Sequence, residues 1–438
     1  MTITSSFHTR ATVLLSLLLC LVPIARARAQ ENAPAAHDRA AKWQEDLDSL
    51  VKELPSKHKN AFFKCPEATW RARAADIRER IPQLSDIQLY TELRRLVALL
   101  GDGHTTIAST KESTLPPQRA YPMAVIWLSD GVFAAIIPKE HEALLAQKLV
   151  RIGDTPLDAA IAKVNELRGC DNDSARKHFA PQDLRDPDAL HALAIIPDPE
   201  HAPFTFADAS GKETTVTLSP VPYGSDISSI VVQRPDPKSL PAWRTQPRFP
   251  YGFQYLDDSA TFYIWYDTCS NHPDKPVADF IAETITALDA RISESPQKID
   301  RVVVDLRRNG GGNSALFMPM IEQLSKREFL TRPAHLFCLI GRRTFSSGMM
   351  NAYQLRNAVN ECRLLGEPTG GSPNAYGEVK TFTLPNSKLT VQYSTKLFRG
   401  SQQDTDAVYP DLQVVPWSKA YFEGQDVVLE RAIKWKNR

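Results

Sequence analysis

The stretch Val302-Val-Val-Asp-Leu-Arg-Arg-Asn-Gly-Gly-Gly-Asn-Ser314 sets the character of the C-terminal half. Its first residues form an unbroken apolar run, which predicts a strand buried on both faces, as in a parallel sheet covered by helices. Three glycines then end the run. Thirty residues on, Gly341-Arg-Arg-Thr-Phe-Ser-Ser-Gly-Met-Met-Asn-Ala352 repeats the layout, with two serines at the point where an apolar run becomes a helix. Around these two stretches, strand and helix patterns alternate. The segments at 260–267, 298–306 and 334–341 read as strands, and those at 277–292, 314–324 and 347–358 read as helices. This alternation implies an α/β fold with a largely parallel sheet.

Upstream the texture differs. Trp43, Leu47, Leu50, Val51 and Leu54 share one helical face. Ser85 and Gln88 form a capping box for a second helix carrying Leu89, Leu93, Leu96, Val97 and Leu100. Gly101 stops that helix, and Gly101-Asp-Gly-His-Thr105 follows at once. From about residue 120 the pattern is a small mixed α/β module. It contains two strands around Ser129-Asp130-Gly131, a strand–turn–helix from Lys148, a helical insertion near 170–200, and a hairpin around Ser210-Gly211. Pro235, Pro237, Pro241, Pro247 and Pro250 mark a linker. The expected organisation is therefore 1–29 leader, 30–117 helical region, 118–222 mixed module, 223–252 linker and 253–438 α/β core.

Bulk properties narrow the function. The 438-residue chain is 42% apolar and 24% charged with a formal charge of +1, so it reads as folded and carries no general attraction for nucleic acid or anionic lipid. The first thirty residues have a basic start, an apolar stretch too short for a good membrane span, and small residues at Ala27 and Ala29. They read as a secretory signal cleaved before Gln30, which places the mature protein in the periplasm or outside the cell, with no stable span afterwards. Beyond Cys20 lie Cys65, Cys170, Cys269, Cys338 and Cys362. They lack metal-finger spacing, and being odd in number they leave at least one unpaired within the chain. No metal or cofactor is expected: His141-Glu142 lacks the second histidine of a zinc helix, and the glycine turn lacks the lysine of a phosphate loop.

Glycines without side chains can expose backbone N–H groups to a carbonyl oxygen that becomes negative. A serine at a strand-to-helix turn presents its hydroxyl beside the positive end of a helix. Helix capping and a plain tight turn account for each motif taken alone.

As a set, Asp305-Leu-Arg-Arg-Asn-Gly-Gly-Gly-Asn313 and Thr344-Phe-Ser-Ser347 resemble the tail-specific (C-terminal processing) proteases. Leu365-Gly-Glu-Pro-Thr-Gly-Gly-Ser-Pro-Asn374, Val408-Tyr-Pro-Asp411 and the upstream Gly101-Asp-Gly-His-Thr105 belong to the same resemblance. It is strongest for the branch that holds the tricorn core protease and the repeats of interphotoreceptor retinoid-binding protein. It implies a crotonase-like (ClpP/crotonase) α/β catalytic core, an N-terminal helical region and a PDZ-like module. It also implies a serine peptidase acting on peptides or unfolded protein. Ser346 falls on the nucleophile, and Ser347, Gly311 and neighbouring Gly310 fall on the oxyanion hole. The lysine of one branch is replaced by Ser372, so His104 is the implied base. Asp404 falls on the family's orienting glutamate, with Asp406 as a substitute. Gly103 and Met349 depart from polar or acidic residues common in the family. Two alternatives share the scaffold: a carrier of apolar ligands, and a hydrolase of non-peptide esters or amides.

Overall fold

The computed structural model describes residues 22–228, 230–233, 249–294 and 299–435. The apolar stretch of the leader and most of the proline-rich linker lie outside the described residues. No helix among those described is long and apolar enough to cross a membrane. The five cysteines from Cys65 to Cys362 are buried free thiols.

The N-terminal region is built from α1 (Val22–Lys57), α2 (Glu67–Arg80), α3 (Asp86–Ala98) and the short strand β1 (Thr106–Ala108). Both halves of the capping box open α3: Ser85 accepts from the Gln88 N–H, and the Gln88 side chain accepts from the Ser85 N–H. The middle module contains β2 (Ala124–Leu128), β3 (Gly131–Pro138), β4 (Lys148–Ile152), α4 (Leu157–Val164), α5 (Asp173–Asp183), α6 (Pro187–Ala192), β5 (Ala202–Ala207), β6 (Glu213–Leu218) and β7 (Val231–Gln233). Its antiparallel sheet runs β7-β3-β4-β5-β6, with β2 also on β3. The strand β7 falls in the segment expected to be linker, because Val231 and Val232 pair with Pro138 and Ile137 before the prolines begin.

The C-terminal core holds β8 (Tyr251–Leu256), β9 (Thr261–Tyr266), α7 (Val277–Glu294), β10 (Arg301–Asp305), α8 (Met318–Ser325), β11 (Leu336–Ile340), α9 (Ser347–Ala358), β12 (Arg363–Gly366), β13 (Asn374–Thr383), β14 (Thr390–Arg399), β15 (Leu412–Gln413) and α10 (Val427–Ile433). Its sheet runs β8-β9-β10-β11-β12-β15 and is parallel from β9 onward.

The two-residue period of a strand explains why this sheet must be covered twice. Val302, Val304, Leu336, Cys338 and Ile340 pack with Phe280, Ile321 and Leu355 of α7, α8 and α9. The alternate residues Val303, Phe337 and Leu339 pack with Val428, Leu429 and Ala432 of α10. Every residue of β10 and β11 is buried as a result.

The helical region is not a separate unit. The hairpin β13–β14 leaves the core and pairs with β1. Leu384, Leu389, Val391 and Tyr393 then share one apolar cluster with Trp43, Leu47, Leu50 and Leu93. Asp46 of α1 clamps the hairpin turn, accepting from the N–H groups of Asn386 at 2.7 Å and Ser387 at 2.8 Å. This packing carries the turn after α3 across to the end of the parallel sheet.

Candidate active site

Parallel strands deliver their following loops to one edge of the sheet, where open α/β sheets place their ligands. The turns after β10 and β11 are neighbours for that reason, and a short set of contacts ties them together. Thr344 Oγ1 donates to Leu306 O at 2.8 Å and accepts from Gly341 N at 3.0 Å. The Phe345 N–H donates to Asn309 O at 3.0 Å. Asn309 is fully buried. Its Nδ2 donates to Tyr266 O at 2.8 Å, and its Oδ1 accepts from Gly311 N at 2.9 Å. A Cβ on Gly348 would stand 2.6 Å from both Asn309 O and Asn309 Oδ1, so only glycine lets the first turn of α9 press this close.

Ser346 precedes α9 with φ 51° and ψ −126°. A serine at positive φ is strained, and the bonds of its neighbours hold it there. Gly311 lies directly against it at φ 112°. A Cβ on Gly311 would come within 2.7 Å of Ser346 Cβ and 3.2 Å of both Ser346 Oγ and Ser347 N. Ser347 opens the helix, so its N–H is among those a helix leaves without an intrahelical partner. Its side chain is occupied elsewhere, donating to Gly312 O at 2.6 Å.

The sequence reading offered Gly311, with Gly310 beside it, as oxyanion donors. The Gly311 N–H is taken by Asn309, so the contribution of Gly311 is the absence of a side chain beside Ser346 and Ser347. A Cβ on Gly310 would meet nothing within 4 Å, so this residue does not wall the serine.

His104 arrives from the turn after α3. Its ring lies 4.5 Å from that of Phe345, the residue before Ser346. Gln392 of β14 holds its carbonyl, with Nε2 donating at 2.8 Å. The ring is largely buried, and among the described residues neither nitrogen has a hydrogen-bond partner.

Behind His104 is a buried acid. Asp102 accepts from His104 N at 3.0 Å, His58 Nε2 at 3.0 Å, Thr105 Oγ1 at 2.5 Å and Ser394 Oγ at 2.6 Å. His58 Nδ1 accepts from Asn60 N at 3.0 Å, which leaves the proton on Nε2, facing Asp102. Burial works against the Asp102 charge, but these hydrogen bonds outweigh it and hold the carboxyl below its ordinary range. The same residue lies 3.9 Å from His104 Nδ1, beyond hydrogen-bond reach.

Asp404 does not contact His104, contrary to the sequence expectation. It is exposed, and its Oδ1 accepts from Asn374 Nδ2 at 3.3 Å. Asn374 also donates to Gln403 O at 3.3 Å and accepts from Ser401 N at 3.1 Å, so the start of β13 braces this loop. Asp406 is exposed too, accepting from Tyr409 Oη at 2.8 Å. An aspartate is one methylene shorter than a glutamate, and this one is held by Asn374 at the start of β13. Ser372, in place of a lysine, is structural: its Oγ donates to Asn374 O at 3.1 Å and Thr405 O at 2.7 Å.

Sequence reading assigned no role to Asn309, Phe345, Asp102 or His58. Asn309, Phe345 and Asp102 sit inside quoted motifs. No local signal marks His58, which meets Asp102 across 44 residues.

No family model and no curated relative matches the chain. Among solved structures, it is similar to mature CPAF complexed with lactacystin, with a TM-score of 0.62 and 14% identity over 90% of this chain and 98% of that one. It is similar to a serine-to-alanine mutant of CPAF with a TM-score of 0.63 and 13% identity, over 91% of this chain and 99% of that one. The tricorn protease aligns with a TM-score of 0.44 and 12% identity, over 90% of this chain and 36% of that one. At 13–14% identity, these likenesses show that the chain shares the fold of CPAF over most of both chains.

Proposed function

We propose that the protein is an exported serine peptidase that hydrolyses peptides or unfolded protein, with Ser346 as nucleophile and His104 as base. The observation that carries this reading is the conformation of Ser346: positive φ at the mouth of a helix, against a glycine whose missing Cβ opens space beside the Ser347 N–H. A neutral serine needs a base to become a useful nucleophile. Among the described residues neither ring nitrogen of His104 has a hydrogen-bond partner, and the ring rests on the residue before the serine. It takes the Ser346 proton as the oxygen attacks the carbonyl carbon, then returns it to the leaving amine. The Ser347 N–H, at the positive end of α9, stabilises the oxyanion.

In this reading the C-terminal core is crotonase-like and the middle module PDZ-like, steering chains toward the site. The leader directs export, to the periplasm or beyond. Treatment of the mature protein from Gln30 with a fluorophosphonate, followed by mass spectrometry, tests the proposal. Labelling of Ser346 that is lost in Ser346→Ala and strongly slowed in His104→Ala supports it. No labelling of folded protein points instead to a carrier of apolar ligands. A peptide library set against simple esters then separates peptidase from esterase.

A further inference from the structure

Asp102 and His104 share one turn, and one strand holds both. Ser394 of β14 donates to Asp102 Oδ2 at 2.6 Å, while Gln392 of the same strand holds the His104 carbonyl. Oδ2 also accepts from His58 Nε2 and Thr105 Oγ1, so three donors fill it. Among the described residues Oδ1 has a single donor, the His104 N–H at 3.0 Å. A carboxylate oxygen offers about two acceptor sites, so Oδ1 keeps one open. The His104 ring lies beside that oxygen, with Nδ1 3.9 Å away.

Two unmet demands face each other across this gap. Among the described residues both ring nitrogens of His104 are buried without a hydrogen-bond partner. Asp102 is fully buried, and its hydrogen bonds keep it ionised against the cost of burial. Yet among the described residues no lysine or arginine forms an ion pair with it. His58 brings it a proton rather than a full positive charge, since His58 Nδ1 accepts from Asn60 N. A buried carboxylate surrounded by uncharged donors favours a cation that forms beside it. Catalytic hydrogen bonds commonly tighten only as the reaction proceeds.

We infer that Asp102, not Asp404, is the positioning residue for His104: its Oδ1 accepts the Nδ1 proton and stabilises the imidazolium that forms when Nε2 takes the Ser346 proton. This rests on the Ser346–His104 reading above. Asp102 stays ionised throughout, and the proton on Nε2 passes to the leaving amine. Because Oδ2 is tied to His58, Thr105 and β14, the carboxylate is held still and the small closing movement falls to the His104 ring. The other charged groups around this turn are Asp171 and Lys64. Asp171 Oδ1 accepts from Gly103 N at 3.1 Å and Oδ2 from Ser372 N at 3.3 Å. Next to it, Asn172 Nδ2 donates to Thr369 O at 3.0 Å and Asp406 O at 2.6 Å, which pins this segment of the middle module to the core. Lys64 Nζ donates to Gly101 O at 2.9 Å and Asp171 O at 3.3 Å. From β13, Gly377 faces the ring, where a Cβ would stand 3.9 Å from His104 Cε1.

The test is proton and nitrogen NMR of the full mature chain carrying labelled histidine, with His104 assigned by His104→Ala. In wild type, once His104 is protonated, its Nδ1 proton should give a strongly downfield signal that exchanges slowly with water. That reading is made on the native chain and does not depend on a buried-acid variant folding. In Asp102→Asn the signal should vanish and the His104 titration midpoint should fall by about one pH unit, with part of the shift recovered in Asp102→Glu. Fluorophosphonate labelling of Ser346 near neutral pH should slow about ten-fold or more in the folded fraction of Asp102→Asn. A purely structural role for Asp102 would lower the urea midpoint and leave the His104 titration where it was. The inference is overturned by the absence of a downfield Nδ1 proton in wild type at every pH. It is equally overturned by an unmoved midpoint in folded Asp102→Asn, or by a larger fall in Asp171→Asn or Asp404→Asn. The expected titration in a chain whose Ser346 never labels would uphold the Asp102–His104 pairing and sink the peptidase reading instead.

Discussion

Ser346 holds its strained backbone because its neighbours leave it no alternative. Asn309 is central to this, bonding at once to the glycine turn, the Phe345 N–H and the carbonyl of Tyr266. Asn309→Ala strands the Tyr266 carbonyl and the Gly311 N–H in a buried site, while the Phe345 N–H keeps its bond to the backbone carbonyl of residue 309. It should cost about 1–3 kcal/mol, read from a urea melt, and slow labelling of Ser346 even in the folded fraction. Gly311→Ala is a more local insult. The new Cβ would lie 2.7 Å from Ser346 Cβ, at a φ of 112° that alanine rarely adopts. We expect labelling to drop on the order of 10²-fold or more, comparable with losing an oxyanion donor. If Gly311→Ala labels like wild type, the glycine does not shape the serine's surroundings.

At the scale of elements, the parallel sheet fixes how closely the two turns of the candidate site approach. Strands β10 and β11 pair in register, Val304 with Cys338 and Asp305 with Leu339, so their loops emerge side by side. Leu339 is fully buried in the cluster under α10. Leu339→Ala should destabilise the chain by about 2–5 kcal/mol, seen as a lower denaturant midpoint with an unchanged slope. A cost below about 0.5 kcal/mol would mean that the α10 face is poorly packed. The hairpin β13–β14 plays the matching role for His104, since Ser394 anchors Asp102 and Gln392 holds the His104 carbonyl.

Across the whole molecule, the middle module is fastened to the core by charge as well as by Asn172. Arg342 donates to Trp127 O at 2.7 Å and pairs with Glu367 at 2.7 Å. Nearby, burial pushes the His178 imidazole down to about 4, with Arg343, Arg168 and Arg342 adding to the effect. The unfolded chain binds this proton near the ordinary value of 6.5. Stability is therefore full above about 6.5 and falls as the pH drops toward 4, by up to about 3 kcal/mol. His178→Gln should flatten that acid limb while leaving stability at pH 8 little changed, which urea midpoints across this range would reveal. An acid limb of unchanged steepness would show that the drop arises elsewhere.

Much of the fold was legible along the chain. The apolar runs ending in glycine, the capping box at Ser85 and the alternation after residue 260 each depend on local periodicity, and each emerged in its expected place. The turns holding Ser346, Ser347 and Gly311 stood out because strand, turn and helix follow one another directly in sequence, and the family resemblance then pointed to these residues within them. The acid did not stand out. Asp404 matched a spacing, but spacing does not show where a side chain points, and Asn374 at the start of β13 holds it instead. Asp102, His58 and Asp171 come from a helix end, a preceding turn and an insertion in another module. Only tertiary packing gathers them around the turn that carries His104: long-range hydrogen bonds from Ser394, Ser372 and Gly103 decide where each carboxylate sits. Sequence determined which elements form and which backbone turns lie at their ends; the packing of three regions against each other decided which charges meet there.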